Sequence, residues 1–104
     1  MKKVIDDIVE ELRPQFDTPY TLQIVGHTDD SPIHTPVMDS NWDLSATRSA
    51  RIARYMIERG IDSKRISVVG KAHTEPILPN RNTDGTPNTD NQSKNRRIQI
   101  KIEY

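Results

Sequence analysis

The sequence contains no cysteine, which excludes disulfides and thiolate metal sites and leaves the redox compartment open. It also lacks an excess of charge of either sign: Lys plus Arg and Asp plus Glu each total 15 in 104 residues. A domain that neutralises nucleic-acid phosphates normally carries a clear basic surplus, so nucleic acid is not an expected partner. Long apolar runs are missing too. They reach only a few residues, against roughly 20 for a helix that crosses a bilayer, and Met1-Lys2-Lys3 leads into acidic residues instead of an apolar signal core. The chain as given is expected to be soluble, with any export signal or membrane anchor lying outside it. What is present is a 33% apolar fraction, thin but sufficient for one core, in a length with no room for a second domain. Residues 1–104 therefore read as a single domain.

Val4, Ile5, Ile8, Val9 and Leu12 recur at spacings of three and four, which predicts an amphipathic helix with Asp6, Asp7, Glu10 and Glu11 on its wet face, ended by Pro14. Tyr20 to Val25 alternates as a strand closed by Gly26. His27 to Asp39 has two prolines, polar clusters and no period, so a surface loop leaves the carboxyl end of that strand. Ser40 and Asp43 make a capping-box-like start to a long helix over Asn41 to Arg59, stopped by Gly60. Leu44, Ile52, Tyr55 and Met56 fall on its inner side and Arg51, Arg54 and Glu58 on the outer, with Arg48 on the inward border. Ile66 to Val69 forms a second strand ended by Gly70. A polar loop then runs from about His73 to Lys94, and Arg97 to Glu103 alternates strictly, with Ile98, Ile100 and Ile102 inward. The order helix, strand, helix, strand, strand indicates an α+β sandwich with both helices on one face of a small sheet.

Three clusters invite a chemical reading. His27, Asp29, Asp30, His34 and His73 offer metal-ligand types, but on loops and without the rigid spacing zinc requires. Asn80-Arg81-Asn82-Thr83-Asp84-Gly85 matches the opening of a calcium loop except at its first position, and Asn91 stands where a bidentate Glu belongs. A polar turn is the better reading, and no metal or cofactor is expected. The third cluster is Gly26-His27-Thr28-Asp29 with Asn41 to Arg48. A carboxylate at the strand mouth and an inward-leaning guanidinium on the next helix suit an amino-acid ligand, its ammonium on Asp29 and its carboxylate on the planar fork of Arg48. From spacing alone, an internal Asp29–Arg48 salt bridge explains the pair equally well. Catalysis finds little footing, because no nucleophile elbow is present and nothing places two carboxylates about a scissile bond.

Val25-Gly26-His27-Thr28-Asp29 followed by Asn41-Trp42-Asp43-Leu44-Ser45-Ala46-Thr47-Arg48-Ser49-Ala50 resembles the signature of OmpA-like peptidoglycan-binding domains. Ile66 to Gly70 and Asn95-Arg96-Arg97-Ile98 match later landmarks in the same order, so the resemblance covers about Val4 to Glu103. The long 30–40 loop, with Asp29-Asp30-Ser31-Pro32, looks most like the C-terminal periplasmic domains of flagellar stator proteins of the MotB, PomB and MotS type.

The resemblance implies an OmpA-like sandwich, two helices on one face of a small mixed sheet, that binds peptidoglycan without catalysis and anchors a stator subunit to the cell wall. Asp29 and Arg48 would hold the ammonium and carboxylate of diaminopimelate in the stem peptide. Thr28 and Asn41 would add polar contacts, Leu44 and Ser45 would present backbone groups, and Arg96 would support the pocket from the last strand. It further implies a homodimer, a periplasmic location, an inner-membrane anchor in the full-length protein, and a membrane partner of the MotA or PomA type. Such domains usually have a strand before the first helix. Here the chain starts in that helix, so a truncated N-terminus is expected, and without the family's membrane helix this piece does not conduct ions. The alternatives are a general envelope tether of the OmpA or Pal type, a structural dimerisation domain with no ligand, and an enzyme that cuts peptidoglycan.

Overall fold

The computed structural model describes residues 2–104. Helix α1 (Lys2–Leu12) runs into a 3₁₀ turn at Arg13–Gln15, where Pro14 fits because its missing N–H is one that a helix start leaves unpaired. Strand β1 (Thr21–His27) follows, then helix α2 (Asn41–Glu58), strand β2 (Ile66–Gly70), a short helix α3 (Thr89–Asn95) and strand β3 (Arg97–Glu103). The sheet has the order β2-β1-β3, with β2 parallel and β3 antiparallel to the central β1. This is the expected small mixed sheet, with a third helix within the 73–94 stretch expected to be a loop.

Register decides which residues share a face. Leu22 stands between Ile66 and Ile102, Ile24 between Val68 and Ile100, and Gly26 between Gly70 and Ile98. These three rows face the helices. Leu22 and Ile24 join Ile5, Val9 and Leu12 of α1 and Ala53 and Met56 of α2 in one core. Burying each large side chain contributes about 1.5–3 kcal/mol.

Val4 and Ile102, both expected to face inward, are exposed. Val4 is 57% exposed, because α1 turns Ile5, Val9 and Leu12 into the core with Ile8 packed against it. Ile102 points inward by register yet is 39% exposed, since it lies near the end of an edge strand where cover thins.

Of the expected inner side of α2, Leu44, Ile52, Tyr55 and Met56, only Met56 is fully buried. The helix buries Ser45, Ser49, Ala53 and Met56, while Leu44, Ile52 and Tyr55 are half-buried. The sheet beneath supplies the reason. A methyl group on Gly26 would lie 2.4 Å from the Ser45 carbonyl oxygen, and one on Gly70 would lie 2.7 Å from Ser45 Oγ. Helix and sheet thus approach backbone to backbone, and only small residues fit between them. The two hydroxyls serve that contact: Ser49 Oγ donates to Ser45 O or Val69 O (2.9 and 3.1 Å), and Ser45 Oγ accepts from the N–H of Ala72 (3.1 Å). Ala72 carries φ +52°, a left-handed kink just after β2.

Helix α1 is tied to α2 by polar as well as apolar contacts. Tyr55 Oη donates to Asp6 (2.6 Å), and Arg59 reaches both Asp6 (3.1 Å) and Glu10 (3.5 Å). No helix among the described residues is long and apolar enough to cross a membrane.

Candidate functional site

The close approach of α2 to β1 brings the end of the strand against the start of the helix. Ser40 caps α2, its Oγ accepting from Asp43 N–H and donating to the Asp43 carboxylate (3.4 and 3.0 Å). Asn41, the next residue, donates from Nδ2 to Asp29 O (3.3 Å) and Ser31 O (2.9 Å), which fixes the loop leaving β1 to the helix. Thr28 is buried and anchors the same turn, with its N–H on Ala72 O (2.8 Å) and its hydroxyl on Asp29 O (2.8 Å).

Asp29 is 7% exposed, too buried for an uncompensated charge. One carboxylate oxygen accepts from Ser31 N–H (2.9 Å) and the other from Arg96 Nη1 (2.5 Å). The partner of Asp29 in this structure is therefore Arg96, not Arg48. Arg96 is also placed otherwise than expected: it caps the C-terminus of α3 and precedes β3. Arg48 is exposed and pairs with no acidic side chain among the described residues. Together with Arg96, Arg97 and Ile98 it lines a cleft of about 190 Å³ between α2 and the start of β3. Arg97 turns its fork to two backbone carbonyls, Asn95 O (3.2 Å) and Glu75 O (3.0 Å).

Leu44 is half-buried, whereas Ser45 is fully buried. The Leu44 N–H is donated to Ser40 O (3.1 Å), and the Ser45 side chain is buried against the sheet. Beside Asn41 a second cleft of about 300 Å³ opens, with Pro32, Ile33, Trp42 and His73 in its walls and Asp30 and Asp39 at its edge. A larger cavity of about 580 Å³ lies at the opposite end of the sheet, among Pro19, Tyr20, Thr21, Glu103 and Tyr104. It has one carboxylate and no cation in its lining, so size does not make it the site.

The remaining sequence candidates fall apart in space or turn inward. His27 is buried, its Nε2 2.7 Å from Gln99 Oε1, whereas His34 and His73 are exposed. Among the described residues no three His, Asp or Glu side chains converge as metal ligands would. The 80–88 segment is a polar hairpin: Asn82 N–H donates to Thr86 O, and Asp84 accepts from both the N–H and the hydroxyl of Thr86.

Three residues that hold the site together, Gln92, Arg81 and Asn95, were not among the site residues expected from the sequence. Gln92 is buried and donates to Asp30 Oδ1 (2.9 Å), while Arg81 donates to Asp30 Oδ2 (2.8 Å). These bonds, Arg81 first, hold the Asp30 carboxyl below its ordinary value of 3.8 against the opposing effect of burial. Asn95 is fully buried and clips the 77–80 segment, accepting from Ile77 and Leu78 N–H and donating to Leu78 O and Asn80 Oδ1, all within 3.2 Å. A signal for α3 was available. Asn88 is a good N-cap, its side chain accepting from Asn91 N–H, and no proline or glycine follows before Arg96.

Comparison with known proteins identifies the family and the fold. Motility protein B of Bacillus subtilis strain 168 is 34% identical over 85 residues, 81% of this chain and 30% of that protein. The chain spans about a third of the length of curated relatives it matches. The C-terminal domain of Helicobacter pylori MotB superposes with TM-score 0.77 at 24% identity, covering 97% of this chain and 70% of that one, which speaks for a shared fold. The cell wall anchor of the T6SS from Pseudomonas aeruginosa superposes with TM-score 0.77 at 27% identity, covering 99% and 65%. Residues 1–97 match the OmpA family, and the chain belongs to it.

Proposed function

We propose that this domain binds the peptide stem of peptidoglycan, without catalysis, and so anchors a larger envelope protein of the flagellar stator type to the cell wall. The observation that carries the reading is that Arg96, the partner of the buried Asp29 carboxylate, lines the same cleft as the open guanidinium of Arg48. Asp29 is held by two donors and still has free lone pairs, and Arg48 opens onto the cleft that Arg96 shares. Diaminopimelate presents an ammonium and a carboxylate on one carbon. The ammonium suits Asp29, and the carboxylate suits the Arg48 fork, which offers two parallel charge-assisted bonds. Thr28 and Asn41 shape the turn that carries Asp29. Leu44 and Ser45 act one step back, by seating α2 on the sheet.

The names of two relatives point the same way: one is a motility protein B, and the other a cell wall anchor. A periplasmic location, an inner-membrane anchor, a homodimer and a membrane partner of the MotA or PomA type belong to this proposal for the whole protein.

Co-sedimentation with purified sacculi tests it. The wild-type domain pellets with the wall, Arg48→Ala stays in solution with its melting temperature unchanged, and no soluble muropeptide is released. Pelleting of Arg48→Ala equal to wild type contradicts the clamp, and release of fragments would make the domain an enzyme.

A further inference from the structure

We infer that the cleft is built for two carboxylates of the same ligand, so that the domain distinguishes stem peptides with a second free carboxylate from their amidated forms. The inference rests on the stem-peptide reading and adds a specificity to it.

The charges at the cleft do not balance with a single zwitterionic end. Asp29 is matched by Arg96, and Arg48 has no acidic partner among the described residues. An ammonium and a carboxylate arriving together add no net charge, so the guanidinium charges of Arg48 and Arg97 would stay uncompensated. The donors point the same way. A guanidinium has five N–H groups. Arg96 spends one on Asp29, and Arg48 spends none on another residue, whereas the fork of Arg97 is given to Asn95 O and Glu75 O. Two forks thus remain open on one cleft, and one carboxylate fills only one fork bidentately. At about 190 Å³ the cleft has the volume of roughly six waters at about 30 Å³ each, enough for two such groups. Arg48 and Ile98 form the wall between helix and strand, and Arg96 reaches the cleft from the Asp29 side.

In a stem peptide the second carboxylate has two possible sources. One is the free α-carboxylate of the γ-linked glutamyl residue before diaminopimelate, and the other is the chain terminus. Both offer the same chemistry to Arg96, and both are converted to neutral amides without changing the diaminopimelate end.

Calorimetric titration of the wild-type domain with three synthetic tetrapeptides decides the matter. One is the free acid, one carries the glutamyl carboxamide, and one a C-terminal carboxamide. One of the two amides is expected to bind about tenfold more weakly than the acid, the loss typical of a charge-assisted bond, and which one it is names the source. In Arg96→Gln, checked for an unchanged near-UV spectrum, the acid and that amide then bind equally, whatever loss of the Asp29 pair costs both of them. Equal affinity within twofold for all three peptides overturns the two-carboxylate inference and leaves the clamp standing. Failure of the free acid itself to bind at millimolar concentration overturns the stem-peptide reading and this inference with it.

Discussion

Replacing Gly26 by alanine places a methyl group where the structure has no room. The new Cβ would stand 2.4 Å from the Ser45 carbonyl oxygen and 2.6 Å from Ser49 Oγ. Relieving the first contact alone requires α2 and β1 to separate by nearly an ångström. The obstacle is helix backbone, so no side-chain rotation helps. Overpacking of a close-packed interior costs about 1–3 kcal/mol, and this case belongs at the upper end. The shift also stretches the bonds from Ser49 to Val69 O and from Ala72 to Ser45. For a domain of this size, about 3 kcal/mol lowers Tm by on the order of 10–20 °C. Since Asn41 and Arg48 ride on α2 while Asp29 sits in the turn that follows β1, ligand affinity should fall as well. Urea unfolding followed by circular dichroism measures the stability loss. Adding Ser49→Ala should recover only a minor part, because the Ser45 carbonyl remains in the way. Gly85→Ala is the control. Nothing lies within 4 Å of its Cβ, and only its φ of +88° opposes the change, so a cost of about 1 kcal/mol with binding intact is expected. A Gly26→Ala protein as stable as wild type would refute the account of how α2 meets the sheet.

Asn95→Ala removes four part-buried hydrogen bonds to the 77–80 segment. A loss of about 2–3 kcal/mol and faster proteolysis within that segment are expected, read by denaturant melts and limited digestion. Ser40→Ala removes the α2 cap and should cost about 1 kcal/mol in the same melts. Asp30 is held below 3.8 in the fold by Arg81 and Gln92, so its contribution is present above that pH and is lost as pH falls through the lower folded value. In Asp30→Asn this part of the acid dependence should vanish, measured as the difference in stability between the two proteins from pH 6 down to pH 2.

Much of the fold is written in local pattern. Strict alternation over 97–103 marks β3 to the residue, and the Ser40 cap with the following run free of proline and glycine marks α2. What the pattern does not carry is proximity. Ser45 and Ser49 look solvent-facing by type, and their burial follows only from Gly26 and Gly70, which lie far along the chain and leave no side chain in the way. The ion pair of Asp29 was hidden for the same reason. Arg48 is the guanidinium near it in sequence, but the chain returns through α3 and sets Arg96 on the carboxylate, 67 positions away. Helix α3 itself was masked by polarity, since its inner residues are Gln92 and Asn95, which bury amides where most helices bury aliphatic chains. The resemblance to the OmpA family supplied Asp29, Arg48 and Arg96 as a set, and the geometry supplied their order of pairing.

The central claim is that Asp29 and Arg48 clamp the ammonium and carboxylate of diaminopimelate. An NMR titration of the labelled domain with meso-diaminopimelate tests it most directly. The account predicts saturable shifts confined to Thr28 to Ser31, Asn41 to Arg48 and Asn95 to Ile98, absent in Arg48→Ala although that variant keeps the wild-type spectrum elsewhere. Shifts that persist in Arg48→Ala, or that gather at the Tyr20 and Tyr104 end of the sheet, would contradict it.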